Sequence, residues 1–311
     1  LIKMQSNWPG TGTKIDPRFT KAKRIELSGN IIEAKNLYIQ LINEFPNNHQ
    51  YYKAFKKLSK NSNNLDELKH ITIDLANKNK TNSLYELDLL EIYLWLNDLK
   101  AEGLKEKLFN KFISSDSLLK KLIFIYISNG RNNQAQAMID KIRSKDSLKD
   151  FYAFELAIHS MARMDYEKSL EEFLIVLHYN PKKYAFISER MMTFPNDTDL
   201  MKKIETLLKE STKIIQSKFL LSDLYYKQGK YLESWEITKK YSDELGWIEF
   251  IKDLINDNQL LTAEKIINET FKLNPSQETT NNAILLLAEI FEKSVLQVED
   301  DIVLSKLFET N

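Results

Sequence analysis

The chain has 311 residues, with 44 Lys plus Arg against 44 Asp plus Glu, so no global field draws it to nucleic acid or to an anionic membrane. Its hydrophobic content of 43%, with 16 Phe, 14 Tyr and 4 Trp, suffices for a continuous core, and 7 Gly with 6 Pro suit helices joined by short turns rather than an all-β protein. The lack of cysteine removes disulfides, thiolate zinc sites and thiol nucleophiles, and no run reaches the ~18 apolar residues of a membrane span.

Residues 1–14 contain Trp8-Pro9-Gly10-Thr11-Gly12 and read as an extended arm. The first residue is Leu1 rather than Met, which reads as removal of a preceding segment. From Arg18 onward one pattern recurs in register. Residues 18–48, 151–183 and 216–241 each read as a helix, a tight turn at Gly29, Met164 or Gly229, a small residue five positions on (Ala34, Ser169, Ser234), and a second helix. The period is about 34 residues, the signature of a helix–turn–helix solenoid.

Along the chain the turn position is read as Gly29, Leu96, Gly130, Met164, Gly229 and Asn258, and the small position as Ala34, Ala101, Ala135, Ser169, Ser234 and Ala263. A small side chain there lets the two helices of a unit cross closely. Pairs such as Leu122-Ile123, Leu156-Ala157 and Phe250-Ile251 lay an apolar stripe on each first helix. Pro46, Pro181 and Pro275 fall where the second helix should stop.

About eight units are predicted over residues 15–277, starting near Ile15, Asn48, Asn82, Asp116, Asp150, Tyr184, Ile215 and Glu244. The second has Ser62-Asn63-Asn64 in place of a glycine turn and Glu67 or Leu68 in place of Ala. The sixth is interrupted by Phe194-Pro195-Asn196-Asp197, and the seventh ends early, at Asp243. Residues 278–311 predict a further helix pair, 281–294 and 299–308, as a cap or a truncated ninth unit. The apolar Ile302, Val303, Leu304, Leu307 and Phe308 favour a chain that continues.

This pattern resembles the tetratricopeptide repeat family from Ile15 to about Gln277, most closely in LSDLYYKQGKYLESWEI at 221–237. The resemblance implies an all-α, right-handed superhelical solenoid. In it the first helix of each unit lines a concave groove through positions 2, 5, 9, 12 and 13. In the third to fifth units the candidates for that face are Leu90, Tyr93, Phe124, Ile127, Phe151, Phe154, Ile158 and Met161. An apolar, aromatic groove of this kind suits a peptide or protein partner. A second reading stays open, because groove and inter-helix positions differ by one residue of rotation: several of these side chains pack between helices. In the second unit Lys53, Lys57 and Lys60 suit an acidic segment or a solvated face. The family's clamp for a terminal carboxylate is not matched, since the first unit offers Phe19 and Lys23 and the third Glu86 and Leu90.

No catalytic pattern emerges. His49, His70, His159 and His178 lack ligand spacing, and no glycine-rich phosphate loop is present. The expectation is a non-catalytic, protein-binding scaffold without cofactor or metal. Three alternatives remain. One is an exported cell-envelope assembly component, in the general style of cysteine-free repeat scaffolds of AT-rich bacteria. Another is single-stranded RNA binding, disfavoured by zero net charge and only six Arg. The last is the helper domain of a larger enzyme. Cytoplasm and periplasm both stay open.

Overall fold

Local chemistry sets the helix boundaries. Asn or Asp side chains at helix starts accept a hydrogen bond from a first-turn amide, satisfying a donor that the helix itself cannot pair. In this computed structural model, which describes residues 16–145 and 148–309 and side chains as far as Val295, Asp16, Asn30, Asn48, Asn82, Asp165, Asp197 and Asp243 each do so.

The described residues are all helix and turn, arranged as successive hairpins. α1 (Pro17–Leu27) pairs with α2 (Ile31–Glu44), α3 (His49–Asn61) with α4 (Leu65–Lys78), and α5 (Ser83–Trp95) with α6 (Lys100–Phe112). α7 (Asp116–Ser128) and α8 (Asn132–Arg143) follow, then α9 (Ala153–Ala162) and α10 (Tyr166–Tyr179). The last hairpins are α11 (Tyr184–Met192) with α12 (Thr198–Glu210), α13 (Ile215–Lys227) with α14 (Tyr231–Tyr241), and α15 (Glu244–Asn256) with α16 (Leu260–Lys272). α17 (Gln277–Glu309) closes the series. The chain divides into two compact units, Leu1–Lys141 and Ile142–Asn311.

Seven of the eight hairpins turn in the same way. A residue in the left-handed region ends the first helix, and the next amide donates back to a carbonyl five residues earlier, as from Asn30 to Ile25 and from Arg131 to Tyr126. Glycine holds that place at Gly29, Gly130 and Gly229, with φ of 71° to 87°. Asn63, Asn97 and Asn258 hold it elsewhere, since Asn tolerates this conformation through its short polar side chain. The third turn therefore corrects the sequence alignment: Leu96 has an ordinary helical φ of −83° and Asn97 takes the left-handed conformation. Met164 does so at φ 63° with no such allowance.

The small positions are all buried: Ala34, Ala101, Ala135, Ser169, Ser234 and Ala263. Where serine stands there it also ties the helices together. Ser169 Oγ donates to Ala157 O at 2.9 Å, and Ser222 and Ser234 exchange hydroxyl-to-carbonyl bonds at 3.0 and 2.8 Å. In the second hairpin Leu68 is the buried residue, while Glu67 turns outward to Lys35 at 2.7 Å.

Two further expectations change. Residues 278–311 do not form a helix pair, because one helix runs without a break from Gln277 to Glu309. No glycine or proline lies between Ser294 and Glu299 to interrupt it. The sixth hairpin has the shortest of these helices, α11 with nine residues, and a five-residue connection, 193–197, around Pro195. The N-terminal arm and the side chains of Ile302, Val303, Leu304, Leu307 and Phe308 lie outside the described residues.

The Met164 side chain is 76% exposed, so removing it loses little packing, whereas a non-glycine residue in the left-handed region costs about 1 kcal/mol. Met164→Gly should raise stability by about 0.5–1 kcal/mol in urea unfolding.

Candidate functional site

The eight predicted groove residues divide evenly between the two units. In the first, Leu90 and Tyr93 on α5 and Ile127 on α7 are buried, and only Phe124 is largely open, at 60% exposure. In the second, Phe151 is buried. Phe154, Ile158 and Met161 are half-buried and pack on the core around Leu170, Phe173 and Leu220. The Phe154 ring lies 5.4 Å from Phe186, with Lys183 Nζ 5.3 Å above it. Leu90, Tyr93, Ile127 and Phe151 are thus already covered by the chain itself.

A cavity of about 690 Å³ opens elsewhere, within the second unit, among α11, α13, α14 and α15. Two aromatic pairs bridge its first helices. Tyr184 of α11 meets Phe219 of α13 at 6.0 Å, and Tyr226 of α13 meets Phe250 of α15 edge-on at 5.6 Å. The α14 side carries the buried hydroxyls of Ser234 and Thr238, both bonded to Ser222.

Polar groups fix the same walls. Asp223 Oδ2 accepts from Tyr184 OH at 2.6 Å and from Ser188 Oγ at 2.5 Å, joining α13 to α11. Tyr226 OH donates to Asp257 Oδ2 at 2.8 Å, joining α13 to the end of α15. Lys227 Nζ donates to the carbonyls of Met192 and Phe194, both at 2.8 Å, and so satisfies orphan acceptors where α11 stops. Glu249 and Asp253 also line the space.

The titration behaviour follows from that geometry. Burial raises the Asp223 carboxyl above the ordinary Asp range, against the bonds from Ser188 and Tyr184 that favour its charge. Asp253 is raised by partial burial first, then by the charges of Asp257, Glu249 and Asp223. Burial lowers the Lys227 ammonium. Tyr184 and Tyr226 are raised by burial, each reinforced by its aspartate partner.

The repeat register accounts for part of this lining. Counted from Tyr184 and Ile215, the ten groove positions include Ser188 and Met192 in the sixth unit and Phe219, Asp223, Tyr226 and Lys227 in the seventh, while Ala185, Pro195, Asn196 and Gln216 lie off the cavity. The first six border the cavity. The third to fifth units carry the denser aromatic pattern in the sequence, but the open space lies along the sixth to eighth hairpins.

A smaller cavity of about 410 Å³ in the first unit is bordered by Phe19 and Tyr38 and by Lys23, Lys53 and Lys57. Lys60 instead lies 4.2 Å above the Trp95 ring. The histidines serve local contacts. His49 Nε2 pairs with Asp88 at 3.2 Å, and His70 Nδ1 bonds the Asp66 carbonyl at 2.8 Å. Among the described residues no group of three or more His, Asp or Glu is placed to hold a metal ion.

No family model and no curated protein matches the chain. Among solved structures it is similar to a tetratricopeptide repeat protein from Parabacteroides merdae at 12% identity, covering 88% of this chain and 98% of that one, with a TM-score of 0.32. It is also similar to the assembly chaperone of RpL4 (Acl4), residues 1–338, at 11% identity, covering 91% and 100%, with a TM-score of 0.25. Both likenesses are loose. The geometry of the cavity is what bears on function.

Two outcomes check these placements. Leu90→Ala should cost about 2–5 kcal/mol in urea unfolding, whereas Phe124→Ser should stay within about 1 kcal/mol. The folded chain holds the Asp223 proton more tightly than the unfolded chain, so stability falls as pH rises from the ordinary Asp range of about 3.9. Asp223→Asn, which keeps an acceptor for Tyr184 and Ser188, should therefore unfold at higher urea than wild type at neutral pH. The gap should close below about pH 4, where Asp223 is protonated in both states.

Proposed function

We propose that this chain is a non-catalytic scaffold that holds a protein or peptide partner along the first helices of its hairpins, with the cavity of α11, α13 and α15 as a principal contact. The observation that carries this reading is the coincidence of two independent features. Six of the ten residues that the repeat register selects in the sixth and seventh units, Ser188, Met192, Phe219, Asp223, Tyr226 and Lys227, border an open space of about 690 Å³. That volume lies in the range of ligand-binding clefts, and its mixture of aromatic rings with a few fixed polar groups is the usual composition of a recognition site.

The polar groups support binding over catalysis. Asp223, Tyr226 and Lys227 are engaged in bridging neighbouring helices, through Tyr184 and Ser188, through Asp257, and through the carbonyls that end α11. Such bonds build a rigid wall, and rigidity lowers the entropy a surface loses when a partner docks.

A photo-crosslinking benzoylphenylalanine at Phe219, compared with one at Glu171 on the exposed side of α10, tests the assignment in cells of the source organism. Phe219 should yield a discrete polypeptide adduct that Glu171 does not. Adducts of equal yield from both sites, or none from Phe219, would remove the groove from consideration.

A further inference from the structure

Taking the groove reading as the base, we infer that the bound segment inserts a lysine or arginine side chain, flanked by apolar residues, into the cavity of α11, α13 and α15. Charge complementarity carries this. Four carboxylates border the space, Asp223, Glu249, Asp253 and Asp257, against one cation, Lys227. That cation is turned away, its ammonium held by the carbonyls of Met192 and Phe194 rather than by any of the four acids.

Several more buried acids elsewhere are neutralised within the chain. Glu86 on α5 is met by Lys107 and Lys111, Asp88 by Lys56 and His49, and the buried Glu172 by Arg143 at 2.7 Å. Asp223 and Asp257 have only hydroxyl donors, Tyr184 with Ser188 and Tyr226 respectively. The Glu249 and Asp253 carboxylates make no ion pair or side-chain hydrogen bond among the described residues. Asp253 is raised by partial burial and then by its like-charged neighbours, so a cation placed among them would relieve part of that repulsion.

The walls select the kind of cation. Tyr184, Phe219, Tyr226 and Phe250 offer ring faces to a methylene stem and to the charge at its end, where cation–π attraction adds to the Coulomb term. A bare metal ion needs converging oxygens, and no such group exists among the described residues. An anionic segment meets repulsion, and a wholly apolar one leaves the carboxylates short of solvent without compensation. The first unit offers the opposite sign, with Lys23, Lys53 and Lys57 around its own cavity, so the acidic lining is a local property and not the average of a neutral chain.

The test uses the full chain and three acetylated, amidated peptides, Phe-X-Leu with X as Arg, norleucine or Glu, followed through the backbone amide signal of Gly246, which borders the cavity. The Arg peptide should bind about tenfold more tightly than the norleucine peptide, and the Glu peptide should give no saturable shift. The Arg advantage should shrink as salt is raised. It should vanish in a Glu249→Gln, Asp253→Asn double variant whose circular dichroism matches wild type and whose urea midpoint is no lower, while the norleucine peptide binds that variant as before. Equal affinity for Arg and norleucine overturns the cation assignment and leaves the groove reading standing. An Arg advantage that survives in the double variant overturns it as well, since the cation then binds elsewhere. No shift from any peptide also overturns it, and the Phe219 crosslink then decides separately whether the groove reading falls too.

Discussion

Everything in this molecule depends on two helices coming close enough to touch backbone to backbone. At six such crossings the chain places a buried Ala or Ser, and precedes it by a turn that reverses direction within a few residues. The two requirements reinforce each other. A left-handed residue lets the chain fold back at once, and a small side chain four or five positions later lets the returning helix settle against the outgoing one. Serine adds direction to the contact: at Ser169 and Ser234 the hydroxyl reaches a carbonyl of the facing helix, so the crossing is held by hydrogen bonds as well as by packing.

Within the second unit the first helices α11, α13 and α15 are neighbours, and Tyr184 faces Phe219 and Tyr226 faces Phe250 across them. That is why the cavity of the second unit is built from α11, α13 and α15, which are well separated in sequence. Hydrogen bonds between these helices also brace its walls. Tyr184 reaches Asp223 across 39 residues and Tyr226 reaches Asp257 across 31. Such bonds join hairpins that the chain connects only through their second helices.

The helical repeat was legible because it is periodic, and periodic signals accumulate. Turn residues were less so. Glycine announces a left-handed conformation, but Asn97 was passed over in favour of Leu96, and only the backbone shows that the third turn's left-handed residue comes one position later. The asparagines, which a coding bias alone would also supply, are structural: they cap α2, α3 and α5 and occupy three of the tight turns. The rotation of each helix about its axis was the least legible part. A helix rotated by one residue carries Leu90, Tyr93 and Ile127 from a groove into the core, and periodicity cannot resolve that angle. Burial instead exposes a quieter set, Asp223 and Tyr226 among them, whose charge and hydroxyl groups gave no apolar signal to notice.

α17 differs from every other helix in length, with 33 residues against 9 to 14. Ala283, Leu286 and Ile290, near its start, belong to the core with α15 and α16. The backbone then continues as helix through Glu309, which at about 1.5 Å per residue carries it roughly 20 Å beyond Val295. A helix of this kind acts as a phase-locked spacer. One residue added after Val295 would advance the more distal turns by only about 1.5 Å but rotate them by about 100°, so the chain's C-terminal stretch is specified by azimuth far more strictly than by distance.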